Sequence, residues 1–420
     1  MENRFHPMTH AIIRRIEDIC GAENVIFGDV KKLERYGKDQ AADKTYPHLP
    51  EAVAKPGTSE EVAALVRLAA SERFPVTPRG AGSGLSGGAV PALGGLVISL
   101  ERMNRILEID RDNMTAVLEP GVVTRELDHP LSEAGLIFAG YPMSEEFCFI
   151  GGNVGENAGG GRAVKYGVTG QYVTGLEVVL PNGEIVRLGG KRVKDVTGYD
   201  LVHLMVGSEG TLGIFTKIWL KLTPRPTARR SLLAFFPDTR SAVRVLPRIM
   251  TKGGLIPTSA EYADRLSLHW TCEQMKETLP WREAGAMLLL ETDGHSEKTV
   301  EEQAGVLEKV CREAGVQELF TAQTEQEGER FWKIRKMIPW ALKRRSPMQS
   351  MEDIVVPPAA IPDFLDALEE ISARRGTQIP CFGHAGDGNL HATPVKNADE
   401  TDEQWAGALP GILEDMYRAA

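Results

Sequence analysis

The stretch that decides the fold is Pro78-Arg-Gly-Ala-Gly-Ser-Gly-Leu-Ser-Gly87. It contains the G-x-G-x-x-G fingerprint of dinucleotide-binding folds, and Glu101 lies near the position of a ribose-binding acid. In those folds a helix begins at the loop, but this chain continues with Gly88-Ala-Val-Pro91-Ala-Leu-Gly94-Gly95. Because proline and glycine each disfavour a helix by about 1–3 kcal/mol, the Rossmann fold is rejected. The glycines instead predict a loop whose backbone N–H groups surround an anion, with a flexible surface turn as the alternative.

Length and composition indicate an ordinary folded protein of two or three domains. The chain has 420 residues, of which 42% are hydrophobic and 25% charged. Its net charge of -10 argues against a nucleic-acid partner or a general anionic-membrane surface. Residues 1–25 do not resemble a signal peptide, and no apolar run approaches the ~20 residues of a transmembrane segment. We therefore expect a cytoplasmic protein that is at most peripheral to the inner membrane through a partner.

The cysteines exclude one class of redox protein. Their sequence positions are scattered and contain no CxxC pair, so the chain offers no cysteine cluster for iron–sulfur or zinc. They are Cys20, Cys148, Cys272, Cys311 and Cys381. We expect most of them to be buried as small apolar side chains.

The sequence pattern of the chain changes at Thr223-Pro-Arg-Pro226. Before it, short strands alternate with glycine-rich stretches, and Thr58 and Glu61 predict the capped start of a helix that ends near Glu72. After it, strands near 231–236, 258–262, 286–292 and 316–321 alternate with helices near 239–251 and 297–314. This β-α-β-β-α-β order is typical of a ferredoxin-like fold. We expect an N-terminal helical segment (1–45), a glycine-rich domain (46–225) and a substrate or cap domain (226–420).

Five motifs follow one another along the chain: the first glycine loop, Glu119-Pro-Gly-Val122, Ile150-Gly-Gly-Asn-Val-Gly-Glu-Asn157, Thr197-Gly-Tyr-Asp200 and Gly207-Ser-Glu-Gly-Thr-Leu-Gly-Ile214. Together they resemble the FAD-linked oxidase family typified by vanillyl-alcohol oxidase, in its branch of D-lactate dehydrogenases and glycolate oxidases. The resemblance runs from about residue 46 to about residue 395. It implies an α+β protein with a two-part FAD-binding domain of the vanillyl-alcohol oxidase type and a ferredoxin-like α+β cap domain.

The resemblance also implies which residues bind FAD. The pyrophosphate would lie on the first loop, formed by Pro78, Arg79, Gly80, Ala81, Gly82, Ser83, Gly84, Leu85, Ser86 and Gly87. The remainder of the cofactor would contact Glu119, Pro120, Gly121, Gly151, Gly152, Asn153, Asn157, Gly207, Glu209, Gly210, Gly213 and Ile214. Covalent flavin in this family is attached to a histidine in the first loop or to a nearby cysteine. This loop has neither, so we expect noncovalent FAD.

A second candidate site lies in Cys381-Phe-Gly-His-Ala-Gly-Asp-Gly-Asn-Leu-His391. Asp387-Gly388 predicts a two-residue type I′ hairpin between strands 379–382 and 390–395. In that register His384 and His391 are directly opposite, with Cβ atoms about 4.5–5.5 Å apart. Such a pair could hold one divalent ion or act as an acid/base pair on a hydroxy acid. Two histidines on a surface hairpin are the alternative.

The resemblance assigns the catalytic residues Arg335, His384, His391 and Asn389, and it implies a zinc-type divalent metal on the two histidines. Arg335 would bind the substrate carboxylate, because a planar guanidinium binds both oxygens at once; an exposed helix arginine is the alternative. Glu352 or Asp353 could add a metal contact or could merely begin a strand. The family continues into a Ser-Gly-Glu-His-Gly motif that supplies a ligand glutamate and a candidate base histidine, whereas this chain ends at Ala420, so we expect C-terminal truncation.

The resemblance implies oxidation of a small D-2-hydroxy acid, of the lactate or glycolate type, to the 2-keto acid. Because the chain has no iron–sulfur cysteine set, the electrons would pass to an outside acceptor such as an iron–sulfur subunit, an electron-transfer flavoprotein or a quinone. One alternative is an oxidase that uses oxygen directly. Another is a noncatalytic flavin-binding subunit of a larger glycolate oxidase-like complex, against which the presence of both histidines argues.

Overall fold

A computed structural model of the chain describes residues 5–40 and 48–420, which divide into two compact units. The first unit runs to Gly160 and resumes over Gly167–Arg225. The second comprises Pro226–Ala420 and a strap, Gly161–Tyr166, taken from the glycine-rich half of the sequence. The predicted N-terminal segment 1–45 lies partly outside the described residues. No helix in the described ranges is long and apolar enough to cross a membrane.

The first unit carries eleven strands and six helices among the residues described. Its strands are β1 (Val25–Phe27), β2 (Ala52–Ala54), β3 (Val76–Arg79), β4 (Leu96–Ser99), β5 (Ile106–Asp110), β6 (Thr115–Leu118), β7 (Leu136–Ile137), β8 (Val173–Val179), β9 (Ile185–Gly189), β10 (Ile214–Lys221) and β11 (Thr223–Pro224). Its helices are α1 (His10–Cys20), α2 (Val30–Leu33), α3 (Ser59–Glu72), α4 (Asp128–Glu133), α5 (Ile150–Glu156) and α7 (Leu201–Met205), while the strap holds α6 (Ala163–Tyr166).

Two main sheets make the first unit a two-part domain. One has the order β1-β2-β4-β3, in which β2, β4 and β3 run parallel, and the other is the antiparallel sheet β5-β6-β10-β8-β9. Helix α3 begins as predicted, because the Thr58 hydroxyl accepts a hydrogen bond from the Glu61 N–H. The Glu61 carboxylate accepts from the Gly57 N–H at 2.7 Å, which satisfies a further donor at this end. This architecture agrees with the expected fold class.

The second unit carries the remaining strands and helices. Its strands are β12 (Ala228–Phe236), β13 (Ser259–Asp264), β14 (Ala286–Gly294), β15 (Glu318–Thr321), β16 (Glu352–Val355), β17 (Cys381–His384) and β18 (Asn389–Ala392). Its helices, besides α6, are α8 (Thr239–Val243), α9 (Val245–Thr251), α10 (Arg265–Met275), α11 (Glu297–Glu313), α12 (Glu325–Arg345), α13 (Ile361–Arg375) and α14 (Asp402–Ala419).

The strands of the second unit form one seven-stranded sheet with the order β15-β12-β14-β13-β17-β18-β16. Its first four strands have the ferredoxin-like arrangement that the β-α-β-β-α-β order predicts. Helix α10, between β13 and β14, was not predicted. Asp264 caps its N-terminus by accepting a hydrogen bond from the Ser267 N–H, and the helix buries Leu268 and Cys272. Its apolar pattern is weak, since Trp270, Cys272 and Met275 are interleaved with polar residues.

Alternation along the strands separates the two faces of this sheet. One face packs Leu233, Phe235, Ala263 and Leu289 against α10 and α12. The opposite face packs against the other large helices of the unit. The same alternation of side chains holds in the strands toward the β16 edge. There the face that packs against α12 carries polar side chains, and the predicted catalytic residues lie on this face.

The predicted hairpin register is wrong by two residues. His384 pairs with Asn389 and Phe382 pairs with His391, so the loop contains four residues, 385–388. The His384 carbonyl accepts from the N–H groups of Asp387, at 3.2 Å, and Gly388, at 3.1 Å. A type I′ turn needs positive φ at both central residues, but of the two only Gly388 has it, at 92°. Because the shift is even, His384 and His391 stay on one face, as diagonal rather than direct neighbours.

Candidate active site

The glycine motifs of the first unit come together in space. A Cβ atom added at Gly80 would lie 3.5 Å from the Gly152 nitrogen, and one at Gly210 would lie 2.9 Å from Cγ of Pro78. The Gly151 N–H donates to the Pro120 carbonyl at 2.8 Å. Four glycine-rich segments that are far apart in the sequence therefore form one cluster. They lie at the end of β3, after β6, in α5 and before β10. Contact of its individual residues with FAD stays a prediction.

Several predicted contact residues hold this cluster together through their side chains. Arg79 is buried, and its guanidinium donates to the carbonyls of Ala89 at 3.1 Å and Arg35 at 3.2 Å. Glu119 is buried and accepts from the Arg105 backbone at 2.8 Å. Asn157 ends α5 with a φ of 50° and accepts from the Gly170 N–H at 2.8 Å. These side chains shape the loops, so the loop backbones remain the candidates for cofactor contact.

The first loop has the donor chemistry that an anion requires. The Gly87 N–H donates to a carboxylate oxygen of Asp39 at 2.8 Å, and the Ser86 hydroxyl donates to Glu156 at 2.9 Å. Burial raises the pKa of Glu156, and the negative charges of Glu209 and Asp39 raise it further. Gly82 has a φ of 68°, a conformation that glycine adopts without the penalty of a Cβ. These donors bind carboxylates in this structure, so contact of the loop with the FAD pyrophosphate stays a prediction.

In the second unit, one buried carboxylate joins two predicted catalytic residues. Oε2 of Glu261, on β13, lies 2.5 Å from Nε of Arg335, and its Oε1 lies 2.6 Å from Nδ1 of His384. Glu261 is fully buried, and Arg335 and His384 are nearly so. Burial acts to raise the pKa of Glu261, but the charges of His384 and Arg335 outweigh it and lower the pKa to about 2. Glu261 is therefore ionised and accepts both hydrogen bonds.

Arg335 is not the exposed helix arginine that the sequence left open. Its side chain is 3% exposed, and its guanidinium lies over the Phe382 ring, 4.9 Å from the centroid. Its Nη2 atom is buried without a hydrogen-bond partner. A buried donor without a partner costs free energy, so this atom is a candidate binding group for a ligand oxygen.

His391 forms the second half of the site. Its ring centroid lies 5.8 Å from that of His384 and 5.0 Å from that of Phe382. Nδ1 of His391 lies 3.3 Å from Oδ1 of Asp353, without the alignment of a hydrogen bond. Asn389 donates to the same oxygen at 2.6 Å. Burial lowers the pKa of His391, and Asp353 partly offsets this effect. The neutral imidazole is thereby favoured.

The predicted metal lacks a complete ligand set in the part of the chain that the structure describes. No group of three histidine, cysteine, aspartate or glutamate side chains there is placed to hold an ion. Nδ1 of His384 is engaged by Glu261, and Glu352 is engaged by Ser350 and Tyr417. Two imidazoles alone do not fit a catalytic zinc site, which normally has three protein ligands. The zinc-type ion stays a prediction from the resemblance.

Glu261 is the functional candidate that the sequence analysis missed. It stands in Ser259-Ala-Glu-Tyr-Ala-Asp264, a strand whose other side chains before the terminal Asp264 are small or aromatic. A carboxylate on an apolar strand face is rarely buried without a partner, and that was the available signal. Its partners are 74 and 123 positions away along the chain, so the sequence did not indicate them.

Comparison with known proteins identifies the family. Residues 50–189 match the family described as FAD binding domain, and residues 225–417 match the C-terminal domain of FAD linked oxidases. The chain belongs to the FAD-linked oxidase family. Its similarity lies in the branch of D-lactate dehydrogenases and glycolate oxidases, within the vanillyl-alcohol oxidase type, as the five motifs predicted.

Relatives of this FAD-linked oxidase span most of its length. It is 39% identical to glycolate oxidase subunit GlcD of Bacillus subtilis (strain 168), over 94% of this chain and 83% of the relative. It is 36% identical to D-lactate dehydrogenase of Anaerostipes hadrus, over 100% of this chain and 88% of the relative. Both similarities extend through both units, so the chain is an FAD-linked oxidoreductase.

Solved structures agree on the fold of this FAD-linked oxidase. An alkyldihydroxyacetonephosphate synthase superposes with a TM-score of 0.78 at 20% identity, covering 100% of this chain and 83% of its own. A p-cresol methylhydroxylase superposes with a TM-score of 0.77 at 17% identity, covering 97% of this chain and 86% of its own. At these identities the likeness establishes the fold alone.

Proposed function

We propose that this FAD-linked oxidase dehydrogenates a small D-2-hydroxy acid, of the lactate or glycolate type, to the 2-keto acid. The observation that carries the proposal is the buried Glu261–Arg335–His384 cluster, in which Nη2 of Arg335 has no partner. The names of its relatives support the substrate class: D-lactate dehydrogenase, D-2-hydroxyglutarate dehydrogenase and a glycolate oxidase subunit.

Arg335 supplies the group that would bind the substrate carboxylate. One edge of its guanidinium is held by Glu261 and one face by Phe382, and the unpartnered Nη2 remains for a ligand. A charge-assisted hydrogen bond to a carboxylate would satisfy this donor. The carboxyl group that all 2-hydroxy acids share is thus the part that Arg335 would recognise.

His384 supplies the group that would take the hydroxyl proton. A carboxylate can only accept, so Nδ1 of His384 carries the proton in its 2.6 Å contact with Glu261. In the neutral imidazole Nε2 then has a free lone pair and can act as a general base. His391, 5.8 Å away between ring centroids, adds a second imidazole on the same sheet face.

The first unit would hold FAD noncovalently on its clustered glycine loops, since the first loop, Pro78–Gly87, has no histidine or cysteine for attachment. The chemistry that FAD supplies is acceptance of two electrons with the hydrogen from C2. We propose that the electrons then pass to a protein or quinone acceptor, because the scattered cysteines form no iron–sulfur set. We place the enzyme in the cytoplasm, where a peripheral acceptor at the inner membrane is accessible.

Anaerobic mixing of the flavin-loaded protein with D-lactate, glycolate or D-2-hydroxyglutarate tests the proposal. Bleaching of the oxidised flavin absorbance by a D-2-hydroxy acid, but not by its L enantiomer, is the expected result. No bleaching by any of these acids would contradict it and favour a noncatalytic flavin-binding subunit. Stoichiometric hydrogen peroxide in air would instead assign an oxidase.

A further inference from the structure

We propose that Glu261 is the positioning residue of this site, because it sets both the tautomer of His384 and the edge of Arg335 that faces a ligand. The inference rests on the proposed function. It assigns a role to a residue outside the motif that carries the histidines and outside the helix that carries the arginine.

Each oxygen of Glu261 serves a different partner. Oε1 accepts from His384 at 2.6 Å, and Oε2 accepts from Arg335 at 2.5 Å. An ionised carboxylate has no proton to donate, so Nδ1 of His384 carries a proton in this contact, and whenever the ring is neutral it is the Nδ1–H tautomer. Which ring nitrogen is free depends on the hydrogen bond made by the other. Glu261 therefore leaves Nε2 as the reactive atom.

The same carboxylate decides how Arg335 is presented. A guanidinium has five donors in one plane, and its rotation determines which of them a ligand meets. Nε is bound by Glu261, and the face of the group lies on Phe382 at 4.9 Å. With one edge and one face occupied, Nη2 is held in place without a protein acceptor. The free donor is thus prearranged rather than induced by a ligand.

The strap of the second unit closes against this carboxylate. A Cβ atom added at Gly161 would lie 2.5 Å from Oε1 of Glu261, closer than a normal contact. Glycine is therefore required at this point for the strap to approach Glu261. The strap backbone on one side and the side chains of Arg335 and His384 on the other confine the carboxylate, which a positioning role requires.

No conservative replacement reproduces both contacts. The amide of glutamine has one acceptor oxygen and one NH2 group, so it can accept from only one of the two donors. If the NH2 group faces His384, the imidazole must expose its unprotonated Nδ1, and Nε2 then carries the proton and cannot act as a base. If the NH2 group faces Arg335 instead, it opposes the Nε–H donor of the guanidinium, and the guanidinium must turn away. Aspartate is one methylene shorter and cannot reach both atoms in the same positions.

Glu261→Gln is tested against Glu291→Gln as a matched control. Glu291 is buried on the same sheet face, accepts from Ser231 at 3.0 Å and Trp332 at 2.8 Å, and lies 3.5 Å from Nη2 of Arg162 in the strap. In the flavin-loaded full chain we expect Glu261→Gln to slow anaerobic flavin reduction by D-lactate roughly 10²- to 10⁴-fold, the size of a general-base contribution. We expect it to weaken binding of oxalate, followed by the flavin spectrum, far less than it slows the reduction, because the amide oxygen still accepts from the charged Arg335 while its NH2 group faces His384. Glu291→Gln should leave both quantities unchanged within error.

A readout independent of turnover separates this inference from the proposed function. In protein labelled with 15N-histidine, the ring nitrogen shifts of His384, assigned with His384→Ala, report which nitrogen is protonated. We expect Nδ1 to be protonated in the wild type and unprotonated in Glu261→Gln. An unprotonated Nδ1 in the wild type overturns the inference even if Glu261→Gln fails to fold. Wild-type protein that no D-2-hydroxy acid reduces refutes the proposed function, while the nitrogen shifts and oxalate binding still decide the role of Glu261.

Discussion

Asn389 donates a hydrogen bond of 2.6 Å from Nδ2 to Oδ1 of Asp353, across the neighbouring strands β18 and β16. The same oxygen lies 3.3 Å from Nδ1 of His391. Burial acts to raise the pKa of Asp353, but its contacts with His391 and Asn389 lower it below its usual value. The position of Asp353, and through it the surroundings of His391, therefore depends on Asn389.

Replacing Asn389 with alanine should lower kcat/KM for the hydroxy acid roughly tenfold. The reason is that a hydrogen bond to a charged group, worth about 1.5–3 kcal/mol, is lost beside His391. Asn397→Ala is the control, because Asn397 donates to the Gly376 carbonyl on the exposed surface. Steady-state kinetics with an artificial electron acceptor measure both variants. Equal kcat/KM for Asn389→Ala and the wild type would remove Asn389 from the site.

Arg335→Lys should raise KM for the hydroxy acid roughly tenfold or more, because an ammonium has neither the planar fork nor the Nε–H that Glu261 binds. Arg330→Lys on the same helix is the control. Arg330 is 44% exposed and pairs with the buried Glu277, away from Glu261 and His384. If both variants have wild-type KM, the substrate carboxylate does not bind to Arg335.

Gly82→Ala should reduce the FAD content of the purified protein. A Cβ atom at Gly82, where φ is 68°, would lie 1.9 Å from Nη2 of Arg79 and displace the guanidinium that braces the first loop. Gly135→Ala provides the matched control, since Gly135 has a φ of 70° in the same unit and an added Cβ would meet nothing within 4 Å. The ratio of flavin to protein absorbance measures the loss. Full flavin in Gly82→Ala would show that the loop does not hold the cofactor.

Zinc should bind this 420-residue chain weakly, because His384 and His391 supply two ligands and no third lies in the described ranges. Metal analysis after gel filtration should find well under one zinc per chain. Titration with zinc should show an affinity that His384→Ala and His391→Ala both abolish, with FAD content unchanged. Retention of one zinc per chain through a chelator wash would contradict this expectation and reveal a ligand outside the His384–His391 pair.

Asp264 should make stability rise as the solution is acidified. Its carboxylate accepts from the N–H groups of Ser267 at 2.8 Å and Cys381 at 2.9 Å, but burial raises its pKa to about 6. In the unfolded chain the value is about 3.9. The folded state thus binds more protons between these values, and the contribution of Asp264 to the free energy of unfolding grows as pH falls through that window.

Asp264→Asn removes this titration and serves as the reference. We expect the stability of the wild type relative to the variant to increase on the order of 1–3 kcal/mol from about pH 7 to about pH 4. Urea unfolding of both proteins at several pH values measures the difference. Parallel pH profiles for the two proteins would show that Asp264 titrates normally.

Local sequence patterns were sufficient to predict those elements whose structure depends on residues that are neighbours in the sequence. Thr58 and Glu61 predicted the start of α3, and the β-α-β-β-α-β order predicted the first four strands of the large sheet. The hairpin near residue 387 was predicted, but its register was not. Asp387-Gly388 favours a two-residue turn, whereas the carbonyl of His384 accepts from both Asp387 and Gly388 and closes a four-residue loop. Competition between two turns is decided by strand pairing outside the hairpin.

The sequence by itself determined the order of strands and helices, because turns and strand alternation act over a few residues, and the resemblance of its five motifs to a known family supplied the FAD-linked chemistry. Only the tertiary structure decided which charged groups meet. Glu261, Arg335 and His384 come from β13, α12 and β17, and their contacts exist only once the sheet is formed and the helix packs on it. A buried charge is tolerated only with partners of opposite charge, and those partners are set by the packing of elements far apart in the chain.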